Sequence, residues 1–245
     1  MIKRIVILPA IILLLGAVIL DVIQPAAADS TIIVNTTSDN IVSDSNCSLR
    51  EAIIAANTNS AYNGCAAGSG TDTIEFAPSL PQPFTILLTI TGKNEDSSMS
   101  GDLDITDDLI VVGAGETNSI LDGNNSDRIF EVHSGNRLTI SGLTMQNGNP
   151  GAGVDGGGVL VKGQLTVSDS RIQSNQGSGI SNDGGIAAFT NVRVQNNSGY
   201  GVRNHSVATL TYEGGEVNDN GGGGIYNAAA TATLTSLTIS KNTHG

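Results

Sequence analysis

From about residue 164 onward the chain alternates apolar and polar residues in short runs, and each run ends on Gly, Asn, Asp or Ser. The pattern apolar-x-x-Asn recurs as Ile172 to Asn175, Val194 to Asn197, Val217 to Asn220 and Ile239 to Asn242, with successive asparagines 22, 23 and 22 residues apart. A second pattern, Gly-apolar-x-Asn, recurs with the same step and ends at Asn182, Asn204 and Asn227. A third set of runs is centred on Leu165-Thr166-Val167, Ala187-Ala188-Phe189, Leu210-Thr211-Tyr212 and Ala232-Thr233-Leu234. Period-two alternation in runs this short predicts strands, and three of them fit in each repeat.

A turn every six to nine residues leaves no room for crossover helices, so parallel pairing requires the chain to coil. The predicted fold is an all-β right-handed parallel β-helix with three strands per coil of about 22 residues, each coil about 4.8 Å above the last. Equivalent positions then stack. Val167, Phe189, Tyr212 and Leu234 should form one inward column, and Ile172, Val194, Val217 and Ile239 another.

The asparagines Asn175, Asn197, Asn220 and Asn242, with Asn182, Asn204 and Asn227, read as structural ladders. Asn tolerates a left-handed backbone at a bend, and its amide can bond to the Asn one coil away. Gly179, Gly201 and Gly224 read as positive-φ turn residues. Sequons at Asn196 and Asn204 overlap the repeat and carry little weight. Strand texture extends less regularly backward through Leu138 to Leu143 and Leu109 to Val112 as far as Leu103 to Ile105. Residues 147–158 lengthen one coil, and this loop, with Asp155, is the expected place for a contact site.

The N-terminus changes the picture of where the molecule works. Lys3 and Arg4 precede an apolar run from Ile5 to Leu20, and Ala26-Ala27-Ala28 follows, the order of a secretory signal peptide with cleavage after Ala28. The alternative is a retained membrane anchor, against which Pro9, Gly16 and Asp21 weigh. Three segments result: a leader over 1–28, an N-terminal cap region over 29–100, and coils over 101–245. The sequence ends mid-repeat just after Asn242, which leads us to expect that the polypeptide continues beyond residue 245 or that the reading frame is truncated. The isolated 245-residue chain, its last coil uncovered, is expected to aggregate or dimerise end to end; a stable monomer in light scattering would contradict this.

Loss of the leader would take the net charge from −12 to −13, a poor match for nucleic acid or anionic lipid. With aromatics at 3% and no Trp, the chain suits a thin stack of aliphatic columns better than a broad core. Cys47 and Cys65, close in sequence in an exported chain, predict a disulfide. Ser48 and Glu51 are spaced as a capping box, and Leu49, Ala52, Ile53 and Ala56 share one face, which predicts a helix lying across the open end of the first coil.

The segment Cys47-Ser48-Leu49-Arg50-Glu51-Ala52-Ile53 resembles the signature of the CSLREA-domain proteins, exported bacterial proteins. Gly70 to Phe76 and Gly101 to Ile105 resemble stretches that follow it there. The matched pieces span roughly 32–145. Gly223-Gly224-Ile225-Tyr226-Asn227 and the apolar-x-x-Asn units are similar to the short repeats of polymorphic outer-membrane proteins, with Val or Ile where those often carry Phe. The resemblance implies a right-handed parallel β-helix, export and a surface or secreted location. It implies no reaction and no catalytic residues.

Two functions remain in competition. One is a non-enzymatic surface or adhesion module with an extracellular partner, a carbohydrate or a surface protein. The other is a polysaccharide lyase or glycoside hydrolase of the pectin-lyase-like type. A hydrolase needs paired carboxylates, but phase places Asp169 over Asn191, Gly214 and Ser236. The column Arg171, Arg193, Glu216 and Thr238 offers Arg193 as a lyase base beside Glu216, against an outward ladder with an Arg193–Glu216 surface ion pair. His133, His205 and His244 differ in phase and make no site. Asp102, Asp104, Asp107 and Asp108 could hold calcium weakly, without the glycine spacing of a dedicated loop. No catalytic residue, cofactor or dedicated metal site is expected.

Overall fold

The computed structural model describes residues 29–93, 95–154 and 156–244. The leader expected over 1–28 and Asp155 lie outside the described residues. The chain is a right-handed parallel β-helix with a single short α-helix among the described residues. Every strand pair is parallel, and each strand pairs with strands of the neighbouring coils, so the sheets run along the axis on three faces.

The first face begins with Thr31–Val34, Asp72–Phe76 and Leu109–Val112 and continues through Arg137–Ser141, Gln164–Ser168 and residues 186–190 to 209–213 and Thr231–Thr235. The second face holds Phe84–Leu87, Ser119–Asp122, Thr144–Gln146, Arg171–Gln173, residues 193–195 and 216–218, and Thr238–Ser240. The third holds Leu103–Ile105, Phe130–Val132, Val159–Val161, Ile180–Asp183, Tyr200–His205 and Gly223–Ala228.

Register produces the columns. Ile74, Val111, Ile140, Val167, Phe189, Tyr212 and Leu234 follow one another on the first face. On the second, Leu121, Met145, Ile172, Val194, Val217 and Ile239 do the same. All are buried except Leu234 and Ile239, the last of each column, which are 44% and 47% exposed. The Phe189 and Tyr212 rings meet edge to face, 5.2 Å apart. The third face carries a change of material. Ile105, Val132 and Val161 are succeeded in the same inward column by Asn182, Asn204 and Asn227.

These asparagines form one ladder, Asn182 Nδ2 donating to Asn204 Oδ1 at 2.8 Å and Asn204 Nδ2 to Asn227 Oδ1 at 2.6 Å. Asn182 Oδ1, next to the aliphatic Val161 position, is left buried without a partner. In the other ladder Asn175, Asn197 and Asn220 each donate Nδ2 to the next Asn Oδ1 at 2.9–3.0 Å, ending on Asn242.

Two expectations about the bends are corrected. In the second ladder the left-handed residue is the one before each asparagine, Ser174, Asn196, Asp219 and Lys241, all at φ 55°. The asparagine itself keeps ordinary φ so that its side chain can turn inward beneath the bend. Gly179, Gly201 and Gly224 are not at positive φ either. They are glycine because a Cβ on Gly179 would stand 2.7 Å from Asn197 Nδ2, and one on Gly201 2.9 Å from Asn220 Nδ2. The ladder leaves no space there for a side chain.

The helix Leu49–Thr58 covers the first coil. Ser48 Oγ accepts from Glu51 N at 3.2 Å, and Glu51 Oε2 accepts from Ser48 N at 3.0 Å, a complete capping box. The sequence predicted one apolar face, yet residues 49–56 are buried all round, Arg50 and Glu51 included. Arg50 pairs with Asp39 (Nε to Oδ1, 2.6 Å) and donates to the carbonyls of Ser98, Gly101 and Asp102. Cys47 and Cys65 are disulfide-bonded across 18 residues. Replacing both with serine should cost about 3 kcal/mol by loop-closure entropy, measured as a lower urea midpoint.

Candidate functional site

On the third face the first coils meet two irregular segments, residues 95–102 and 147–154, and there the smooth repeat is broken. The strand Leu103–Ile105 turns Asp104 outward, and register puts Glu131 beside it on the next coil. In an ordinary solenoid such residues would face solvent. Here residues 95–102 fold back over them, Ser98 N donating to Asp104 Oδ2 at 3.1 Å, so that Asp104 is fully buried and Asp102 and Glu131 nearly so.

Asp102, Asp104 and Glu131 each bring a carboxylate oxygen within 4.8 Å of the others. Arg128 is placed among them by the turn before Phe130–Val132. Its Nη1 lies 3.3 Å from Asp102 Oδ2 and also contacts Glu131 Oε2. Lys162 Nζ reaches Glu131 Oε1 at 2.7 Å from the following coil, and His133 Nε2 lies 3.0 Å from Asp104 Oδ1. Arg128 Nε is buried with no protein partner. Over this cluster opens a cavity of about 360 Å³, walled also by Lys93, Asp127, Pro150 and Leu160. The loop carrying Pro150 and Val154 forms its rim. Its base is pinched where Gly148 meets Gly157, a Cβ on the former falling 1.8 Å from the latter's carbonyl oxygen. Gly148 N also donates to Asn175 Oδ1 at 2.8 Å, which anchors the loop to the first rung of the ladder.

A shallow second groove continues from Val154, which borders both, past Gln176, Gly177, Ser198 and Gly199. Beyond it Tyr200 and Tyr226 stand with ring centroids 5.1 Å apart, and the Arg203 guanidinium lies 5.8 Å over Tyr226. The outward rank Glu131, Leu160, Ser181, Arg203 and Tyr226 therefore links cavity and tyrosines along the axis.

Burial, reinforced by the neighbouring Asp104, pushes the Asp102 carboxyl up to about 7 despite Arg128. Burial likewise raises Asp104 to about 6 against the hydrogen bond to His133. Burial also raises Asp127. It acts on Glu95 too, but hydrogen bonds from Ser100 and Ser97 outweigh it and hold that carboxyl below its usual range. The folded chain thus keeps protons on Asp102 and Asp104 that an unfolded chain gives up near pH 4, and the stabilisation they confer is lost as pH rises through about 6 to 7. We expect the urea midpoint to fall between about pH 5 and about pH 8, and Asp102→Asn to flatten that slope. A midpoint rising over the interval would contradict it.

Of the acidic residues singled out in the sequence, Asp102 and Asp104 join this cluster. Asp107 and Asp108 do not: Asp107 accepts from Asn59 Nδ2 and Asp108 from Arg137 N. The Arg171, Arg193, Glu216 column exists in register, but the Arg193–Glu216 pair is replaced. Arg193 and Arg171 both turn to Glu116, the latter at 3.1 Å, because the loop after Leu109–Val112 overhangs the second face. Sequence reasoning missed Glu131, Arg128, His133 and Lys162. The spacing Asp104, Glu131 is 27 residues rather than 22, so phase alone could not align them.

The family described as a right-handed beta helix region matches residues 105–243. No curated protein and no solved structure matches the chain.

Proposed function

The chain belongs to the right-handed beta-helix family, and on that premise we propose that it is a non-enzymatic, exported surface module that holds an extended glycan along its third face. The observation that carries this reading is the continuity of the site: a polar cavity, a glycine-walled groove and a pair of tyrosines aligned on one face. Sugars need hydroxyl partners and flat apolar surface together, and concave sites with convergent polar groups supply both. Arg128 and Lys162 line the cavity and carry N–H groups that can donate to sugar oxygens. The Cys47–Cys65 disulfide supports an oxidising compartment, and with it the reading of 47–53 as a CSLREA signature.

The raised Asp102 and Asp104 carboxyls favour a rival reading, acid–base catalysis of glycan cleavage. Geometry weighs against it. A hydrolase sets two carboxyls about 5 Å or more apart on either side of the bond to be cut. Here Asp102 and Glu131 are both tied to Arg128, the arginine that a lyase would use as base, and Asp104 lies beneath the floor. The test is retention of the chain on a panel of immobilised neutral, acidic and basic polysaccharides, with assays for reducing ends and unsaturated products. We expect retention that Tyr226→Ala weakens, and no product. Product formation abolished by Asp102→Asn would establish the enzyme, and no retention on any glycan would overturn the glycan reading.

A further inference from the structure

We infer that the glycan held by this groove carries protonated amines, and that the site selects a deacetylated amino-sugar chain over a polyuronate. The inference rests on the glycan-binding reading and adds the charge of the ligand. It follows from which charges around the cavity are already spent. Arg128 pairs with Asp102 and Glu131 and Lys162 with Glu131, while Lys93 Nζ donates to the Pro150 carbonyl at 2.9 Å and its charge acts on Asp127. Even with Asp102 and Asp104 protonated, the lining carboxylates Glu95, Asp96, Asp127 and Glu131 outnumber Lys93, Arg128 and Lys162. Glu95 is held ionised by hydrogen bonds from Ser97 and Ser100, Asp96 is exposed, and Asp127, whose Oδ1 accepts the backbone N–H of Arg128, lines the same wall.

A uronate carboxylate entering here would meet this surplus, whereas an ammonium group would be drawn to it. The whole chain, at net −12, adds to the same field. Spacing suits a polymer. Register carries the outward rank from Glu131 to Tyr226 over four coil steps, about 19 Å, and a hexose repeat is close in length to one step. The acidic surplus is confined to the cavity end. At the other end Tyr200 and Tyr226 offer ring faces, with Arg203 over Tyr226.

Titration calorimetry on the full chain at about pH 6 and low salt would compare four hexamers: glucosamine, N-acetylglucosamine, galacturonate and lysine. We expect glucosamine to bind about tenfold more tightly than its acetylated form, galacturonate not to bind detectably, and the preference to shrink as salt is raised. Asp96→Asn, an exposed change that leaves the fold alone, should lose part of the preference, and Asp127→Asn more. Equal binding of the two amino sugars, or preference for galacturonate, would overturn the inference while leaving glycan binding intact. Hexalysine binding as tightly as glucosamine, or no binding by any sugar, would overturn the glycan reading itself.

Discussion

Arg50→Ala should lower the stability of the chain by about 5 kcal/mol, the upper end of what removing one partner of a buried ion pair costs. The side chain is fully buried, and its loss strips Asp39 of its charge partner and three carbonyls of their donor. Asp39 also accepts from Thr89 N and Ile90 N, so the unpaired carboxylate would remain fixed in place rather than escape to water. Because Ser98, Gly101 and Asp102 belong to the segment that roofs the acidic cluster, the damage should spread to the site. Equilibrium urea unfolding measures the first effect. Faster amide exchange across 98–104 measures the second, and Arg50→Lys should rescue neither, since an ammonium group cannot span both carboxylate oxygens and three carbonyls.

Asn197→Ala should cost about 4 kcal/mol, because it leaves several buried groups unsatisfied at once. Asn197 Oδ1 accepts from both the backbone and the side chain of Asn175, and its Nδ2 donates to Ile172 O and Asn220 Oδ1. A rung removed from the middle of a ladder strands partners on both sides. The same change at Asn242, whose ladder neighbour lies on one side only among the described residues, should cost less than half as much. Equal costs at the two positions, read from urea midpoints, would mean that the ladder does not act as a unit.

The fold was legible because stacking writes the same constraint every 22 or 23 residues, so that Ile172, Val194, Val217 and Ile239 announce their column without any structure. Backbone detail was less so. Ser174 rather than Asn175 takes the left-handed conformation, and the glycine at 179 answers to the Asn197 side chain one coil on, a contact that composition does not encode. The candidate site was the least legible part. Asp104 and Glu131 are neighbours only if the coil between them is known to be longer than the later ones, and Glu116 meets Arg193 across 77 residues. Sites in a solenoid arise where the repeat is interrupted, and interruption is what removes the phase by which a sequence can be aligned.

The central claim, that a glycan lies lengthwise on the third face, is tested most directly by a hydrogen-exchange footprint of the chain with and without a partly acetylated glucosamine hexamer. Bound glycan should slow exchange over 95–104, 127–131, 149–154 and around Tyr200 and Tyr226, with the first-face strand Gln164–Ser168 unchanged. Protection centred on Gln164–Ser168 and its first-face neighbours, or confined to the last coil, would contradict it.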